Sequence, residues 1–168
     1  MWDIIIDEIR PKAGPDTFIM VMRLAGAAVL CSVIGWEREL KTQTAGLRTN
    51  ILVGVAAAAF ALITLAMMDL PMTNADTVRT DPIRLIEAVT NGVAFLAAGI
   101  VVFSKGEVRG LTTGASMWLA AAIGLSVGLG FWFIAAVATL TGLVVLSGLR
   151  RLQTRLGIKE EKENQLSG

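Results

Sequence analysis

The chain has 168 residues, of which 54% are hydrophobic and 17% are charged, and its net charge is +1. Soluble domains carry about a quarter charged residues, so the composition argues against a soluble domain, and the near-neutral charge gives no sign of nucleic-acid binding. The chain has no histidine and a single cysteine, Cys31, which removes the commonest general base near neutral pH and any disulfide within one chain. With no nucleophile–base pair or Walker-type phosphate loop in the sequence, we expect neither an enzyme nor a bound cofactor.

Residues 1–17 predict a short amphipathic helix on the membrane surface. Their apolar residues recur at helical spacing (Trp2, Ile5, Ile6 and Ile9). Pro11 then ends the pattern. This segment is expected to lie on the membrane surface; the alternative is a frayed terminus.

Long apolar runs predict five transmembrane helices, because about 20 helical residues cross the bilayer core. The predicted helices cover residues 18–37, 49–68, 82–103, 112–128 and 131–150. The last two share one uncharged run that would measure about 60 Å as a single helix, so it must turn back, and the glycines of "GLSVGLGFW" (124–132) allow that turn. The fold class predicted is an all-α membrane protein, with a transmembrane domain over 18–150 and a polar cytoplasmic tail over 151–168.

The basic residues of the loops predict the orientation of these helices. They concentrate between helices 1 and 2, between helices 3 and 4, and after helix 5. Basic loops stay in the cytoplasm, so the N-terminus is predicted outside and the C-terminus inside. Small residues on helices 2 and 4 predict that these two form the centre of the bundle. Trp36 and Trp132 should mark opposite interfaces, and Trp118 should pack against protein.

Two similar motifs open helices 2 and 4. "AGLRTN" (45–50) and "RGLTTG" (109–114) each follow a charged loop, which favours helices 1–2 and 3–4 as parallel repeats, although so short a match also arises by chance. We expect Thr49 and Thr113 to be N-caps. Together with the charged loop, the motifs predict a cytoplasmic cluster that binds a lipid phosphate, an anion or an acidic partner; the alternative is solvated loops that pair internally. Its residues are Glu37, Arg38, Gly46, Arg48, Thr49, Arg109, Gly110, Thr112 and Thr113. Glu37 is expected to pair with Arg38 or Arg48.

A second polar group is predicted inside the membrane. Arg23 and Glu87 have opposite charges and equal predicted depth, and a charge within a span is normally paired. We therefore expect an Arg23–Glu87 ion pair, with Asn91 extending it on the same helix face. The alternative is that Arg23 reaches the outer headgroups.

The motifs together resemble the MgtC/SapB family of bacterial inner-membrane proteins. The matching segments are "GWERE", "AGLRTN", "FLAAGIVV", "VRGLTTGASMWLAAAIGL" and "GLG", in the family's order between about residues 23 and 150. The resemblance implies five transmembrane helices, a multi-pass protein of the bacterial inner membrane, and a link to growth in low magnesium and survival inside host cells. Some members are thought to restrain the membrane ATP synthase. Here "AFLAAG" replaces the family's glycine-rich GFLGAG, and the short tail predicts a form without the family's C-terminal soluble domain.

The resemblance favours a regulator of membrane energetics or transport. The alternative is a magnesium or cation transporter or channel subunit, for which Glu87 is the one expected intramembrane carboxylate and would need to be multiplied by oligomerisation. The expected partners are the lipid bilayer, a second copy in a homodimer and, by resemblance, the membrane ATP synthase or another membrane protein. The sequence does not define a set of metal ligands.

Overall fold

The computed structural model describes residue 2 and residues 13–70, 82–104 and 107–148. The helices are α1 (Thr17–Leu40), α2 (Leu47–Asp69), α3 (Pro82–Ile100), α4 (Leu111–Leu129) and α5 (Trp132–Leu143), and the chain continues from α5 into one π-helical turn (Val144–Gly148). All five predicted helices are therefore present. Residues 1 and 3–12 of the predicted surface segment lie outside the described residues, as does the polar tail.

The described helices have the lengths that a membrane protein requires. Helices α1, α2, α3 and α4 are each long and apolar enough to cross a membrane. Helix α5 and its π-helical turn form a shorter apolar segment, Trp132–Gly148, which reaches about 25 Å at 1.5 Å per residue. The fold is that of an all-α membrane protein.

Helix α3 ends three residues earlier than predicted. After Ile100 the chain forms a small antiparallel hairpin of β1 (Val102–Ser104) and β2 (Glu107–Arg109). The β-branched and aromatic residues of "VVF" (101–103) favour an extended backbone. Gly110 then connects the hairpin to α4 with φ +90°, a conformation that glycine adopts without steric cost.

Helices α2 and α4 form the centre of the bundle, as their small residues predict. Gly54 faces Gly124, and a Cβ at Gly128 would lie 2.7 Å from the carbonyl oxygen of Ala58. Such backbone contact is possible only between residues without large side chains. More than half of α4's apolar span is buried, compared with 6% for α3, so α4 is the most enclosed element among the described helices.

The other helices surround this pair. Helix α1 packs against α2, α4 and α5, whereas α3 packs against α4 and α2. The Cys31 thiol of α1 donates to the Ala120 carbonyl at 3.4 Å. Ala97 of α3 lies against Gly114 of α4. Helices α1 and α3 therefore occupy different sides of the central pair.

The tryptophans test the predicted interfaces. Trp36 lies near the end of α1 and Trp132 opens α5, at opposite ends of the bundle, and both are exposed. This arrangement agrees with two interfacial anchors. The prediction that Trp118 packs against protein is wrong, since 47% of this residue is exposed. Its position on α4 faces outward, although neighbouring residues of that helix are buried.

Candidate functional site

Four helix ends meet at one end of the bundle and bury charged side chains there. The end of α1, the starts of α2 and α4, and the π-helical turn after α5 contribute to it. Glu37 is only 8% exposed and Arg38 only 4% exposed. Buried charges are costly unless they are paired and hydrogen-bonded. We call the residues that pair them the helix-end cluster: Glu37, Arg38, Lys41, Gln43, Thr113 and Ser147.

Glu37 connects α1 to the end of α5. Its Oε1 atom accepts hydrogen bonds from Lys41 Nζ and, at 3.3 Å, from Ser147 Oγ. Lys41 Nζ also donates to the Leu146 carbonyl at 2.9 Å. Among the described residues, no partner is found for the buried Oε2 atom of Glu37. The Glu37–Lys41 pair, rather than the expected pair with Arg38 or Arg48, thus holds the π-helical turn against α1.

Arg38 connects α1 to the start of α4. Its Nη2 atom donates to Gln43 Oε1 at 3.2 Å and to Thr113 Oγ1 at 3.3 Å. The Thr113 carbonyl accepts a hydrogen bond from Ser116 Oγ at 2.8 Å. Arg38 also lies in the last turn of α1, where the helix dipole favours a positive charge. The guanidinium therefore spans two elements that are 75 residues apart in the chain.

A carboxylate from the end of α1 binds the start of helix α2. Glu39 Oε2 accepts a hydrogen bond from the Leu47 amide at 2.9 Å, which is the type of anion that a helix N-terminus binds. Buried Asn50 donates to the carbonyls of Ala45 and Gly46, at 3.1 and 2.8 Å. Glu39 thus satisfies the Leu47 amide at this helix start, whereas Asn50 binds carbonyl oxygens of the preceding residues.

The two threonines are not N-caps, contrary to prediction. The N-cap residues are Gly46 and Gly110, which places Thr49 and Thr113 at the third helical position. At Gly46 a Cβ would collide with the Glu39 carboxylate. At Gly110 the positive φ favours glycine. The two Gly-Leu-x-Thr motifs nevertheless occupy the same position in their helices.

The structure divides the predicted cytoplasmic cluster into two groups. Glu37, Arg38 and Thr113 are buried in the helix-end cluster. Arg48, Thr112 and Arg109 are exposed. We call these three exposed residues the rim. Thr49 is half-buried and belongs to neither group. The site thus has an internally paired centre and an accessible, basic edge.

Several residues of this site were absent from the sequence prediction. Lys41 had a signal, because it stands four residues after Glu37 on the same helix face. Glu39 likewise precedes the glycine at which α2 begins. Asn50 closes the "AGLRTN" motif but was given no role. Gln43 and Ser147 carried no comparable signal. Ser147 reaches Glu37 from 110 residues away, a contact that no local pattern encodes.

The predicted Arg23–Glu87 pair is not formed. Arg23 Nη1 instead donates to the Gly128 carbonyl at 2.8 Å, where the C-terminal end of α4 favours a cation. Glu87 and Asn91 lie on α3, and both are exposed. The reason is the placement of the helices, since α3 packs on α4 and α2 while α1 packs on the other side.

The described residues offer no concentrated set of metal ligands. Within them there is no group of three or more His, Cys, Asp or Glu residues that could hold an ion. The buried carboxylate of the site already accepts hydrogen bonds from Lys41 and Ser147. Chemically, the arrangement is suited to fixing helix ends and presenting basic side chains beside them.

Comparison with known proteins identifies the family. The model of the MgtC family matches residues 24–155. Protein MgtC of Brucella abortus is 40% identical over 129 residues, which is 77% of this chain and 50% of that protein. YhiD of Escherichia coli K12, whose name proposes a magnesium transporter, is 35% identical over 137 residues, or 81% of this chain and 63% of that protein.

The relatives are longer than this chain, so the match covers only part of each of them. An uncharacterized protein of Haemophilus influenzae is 37% identical over 66% of this chain and 47% of its own length. The chain thus spans about half to two thirds of the length of the curated relatives it matches. No solved structure matches it. With its apolar helices and these bacterial relatives, the chain is a bacterial membrane protein that belongs to the MgtC family.

Proposed function

We propose that this protein is an inner-membrane regulator that acts on membrane energetics or transport when magnesium is scarce or the host imposes stress. It does so by docking another membrane protein at the helix-end cluster and its rim. The observation that carries the proposal is the combination of buried, internally paired charges with exposed basic residues beside them. The family resemblance makes the membrane ATP synthase the first partner to test.

The arrangement of charge supports docking over ion conduction. A path for Mg²⁺ needs carboxylate or carbonyl oxygens that face a hydrated ion. The Oε1 atom of Glu37 already accepts hydrogen bonds from Lys41 and Ser147. The other carboxylate, Glu87, is exposed on α3. The contacts of Glu37 are instead with the end of α1 and with the π-helical turn after α5. The two carboxylates therefore do not line a common route.

The rim supplies the contact that such a regulator needs. Arg48 is an exposed residue of α2's first turn, and Arg109 is exposed at the end of β2. Exposed charges contribute little to the stability of the fold, but they orient and select a partner with an acidic surface. The buried centre would fix the geometry of the four helix ends, so that the rim residues keep their spacing.

The test separates docking from folding. A strain lacking the gene is complemented with the wild-type chain, with Arg48→Ala/Arg109→Ala, or with the charge-preserving control Arg48→Lys/Arg109→Lys. We expect the alanine variant to reach normal membrane levels but to lose growth in low magnesium and co-purification with the ATP synthase. The lysine control should keep most of both. Full rescue by the alanine variant would contradict the proposal.

Magnesium or cation transport is the second candidate, supported by the name that the Escherichia coli relative carries and by the buried Glu37 Oε2 atom without a described partner. Proteoliposomes that contain only this protein and an enclosed Mg²⁺-sensitive dye test it directly. The regulatory proposal expects no uptake above protein-free vesicles. Uptake above that of protein-free vesicles would instead establish transport.

A further inference from the structure

Helix α3 presents polar side chains on a face that no other described helix covers. Only 6% of its apolar span is buried. The side that packs into the bundle carries Val93, at 7% exposure, and Ala97, which lies against Gly114. On the opposite side of the helix five exposed residues recur every three or four positions. We call them the α3 seam: Arg84, Glu87, Asn91, Ala94 and Ala98.

The polar residues of the α3 seam lie too deep to be ordinary interfacial residues. Glu87 is five residues and Asn91 nine residues after Pro82, the first residue of α3, which corresponds to about 8 and 13 Å along the helix axis. Polar groups at such depth normally face protein or water. No hydrogen bond joins either side chain to another described residue. Exposure to lipid tails would leave the Asn91 amide unsatisfied.

The spacing of the α3 seam is that of a helix–helix interface. Its positions follow the a/d pattern of a left-handed coiled coil, with Asn91 at an a position, where asparagine fixes register in parallel dimers. Ala94 and Ala98 lie on the same line and allow two backbones to approach closely. Asparagine side chains hydrogen-bond across such interfaces in membranes.

The charges of the α3 seam complement a second copy of the same seam. Two copies in one membrane share an orientation, so a two-fold axis along the membrane normal brings equivalent helices together in parallel. Arg84 and Glu87 then each face their own equivalent, and each also lies about one turn from the opposite charge of the other copy. A diagonal Arg84–Glu87 pair in each direction offsets these like-charge contacts. Asn91 meets its own equivalent, where each amide can donate and accept.

We propose that the protein forms a parallel homodimer through the α3 seam. Glu87 and Asn91, which do not pair with Arg23 inside one chain, are satisfied across the two-fold axis. This inference does not depend on the proposed docking function of the helix-end cluster, because the α3 seam and the helix-end cluster share no residue.

Cysteine cross-linking in membranes tests the interface. The full chain is used, and Cys31, which is fully buried, remains in place as the background. Ala94→Cys and Ala98→Cys should each form an oxidised dimer, because equivalent Cα atoms of a close parallel pair come within the roughly 7 Å that a disulfide spans. The matched control is Ala122→Cys, an exposed alanine on α4, which should stay monomeric.

A second variant tests the role of the polar groups. In the Ala94→Cys chain, Asn91→Leu should weaken association about 3- to 30-fold, the range for one interhelical hydrogen bond in a membrane. Association is measured by energy transfer between labelled copies at several lipid-to-protein ratios. Phe133→Leu, at an exposed position of α5, should change nothing. Equal cross-linking at residues 94 and 122, no dimer at all, or unchanged association in Asn91→Leu would each overturn the homodimer.

Discussion

Lys41→Met is expected to destabilise the protein by leaving a buried carboxylate without its cation. Methionine keeps the length and apolar stem of lysine, so the change removes mainly the Nζ hydrogen bonds to Glu37 and to the Leu146 carbonyl. Removing one partner of a buried ion pair costs about 3–5 kcal/mol. The Lys41 side chain is 23% exposed, which lets water compensate in part, so we expect a loss of about 2–4 kcal/mol.

The double variant separates pairing from packing. Glu37→Gln alone should also be destabilising, because it leaves Lys41 beside a neutral amide. Glu37→Gln with Lys41→Met removes both charges, and replacing a whole buried pair is often close to neutral. We therefore expect the double variant to be more stable than the sum of the single effects predicts, by at least about 1 kcal/mol, as for residues in direct contact.

The free energy of unfolding is measured by titrating the purified protein in mixed micelles with a denaturing detergent. The matched control is Thr112→Ala, an exposed rim residue, which should change stability by no more than about 0.5 kcal/mol. Additive effects of the two single variants, within about 0.5 kcal/mol, would refute the view that Glu37 and Lys41 act as a buried pair.

Three further substitutions or measurements check other parts of the fold. Gly110→Ala should lower the melting temperature of the protein in detergent, because the backbone has φ +90° and the new Cβ would lie 2.6 Å from a carbonyl oxygen of α3. The control is Gly99→Ala, whose new Cβ meets no atom within 4 Å. This control should be neutral or slightly stabilising. In a dilute, monomeric micellar preparation, Arg23→Gln should lower the free energy of unfolding by about 1–2 kcal/mol, because a charged hydrogen bond is lost. Glu87→Gln should leave the stability of that monomer unchanged. Equal losses with strong coupling between the two variants would instead show that Arg23 and Glu87 form an ion pair. Cys31, which is fully buried, should react with a membrane-permeant maleimide only on unfolding. Rapid labelling of the folded protein would contradict the burial of its thiol against Gly54 of α2 and Ala120 of α4.

The amino-acid sequence was sufficient to place the five helices. Apolar length decides which segments cross a bilayer, so the predicted spans agree with α1, α2, α3 and α4 to within three residues. The fifth span agrees to within two residues when the π-helical turn is counted with α5. Small residues likewise indicated the central pair of α2 and α4, because close backbone approach requires them. The motif glycines Gly46 and Gly110 were named from the sequence, but the N-cap role that they have in the structure was assigned to the threonines.

The partners of the charged residues were decided by the tertiary structure alone. Arg23 and Glu87 have equal predicted depth, but depth carries no information about which side of the bundle a helix occupies. Because α1 and α3 lie on different sides of the central pair, Arg23 binds the Gly128 carbonyl instead of Glu87. Glu37 similarly meets Ser147 across 110 residues. Such contacts depend on how four helix ends converge in space, which the periodicity of a single helix does not specify.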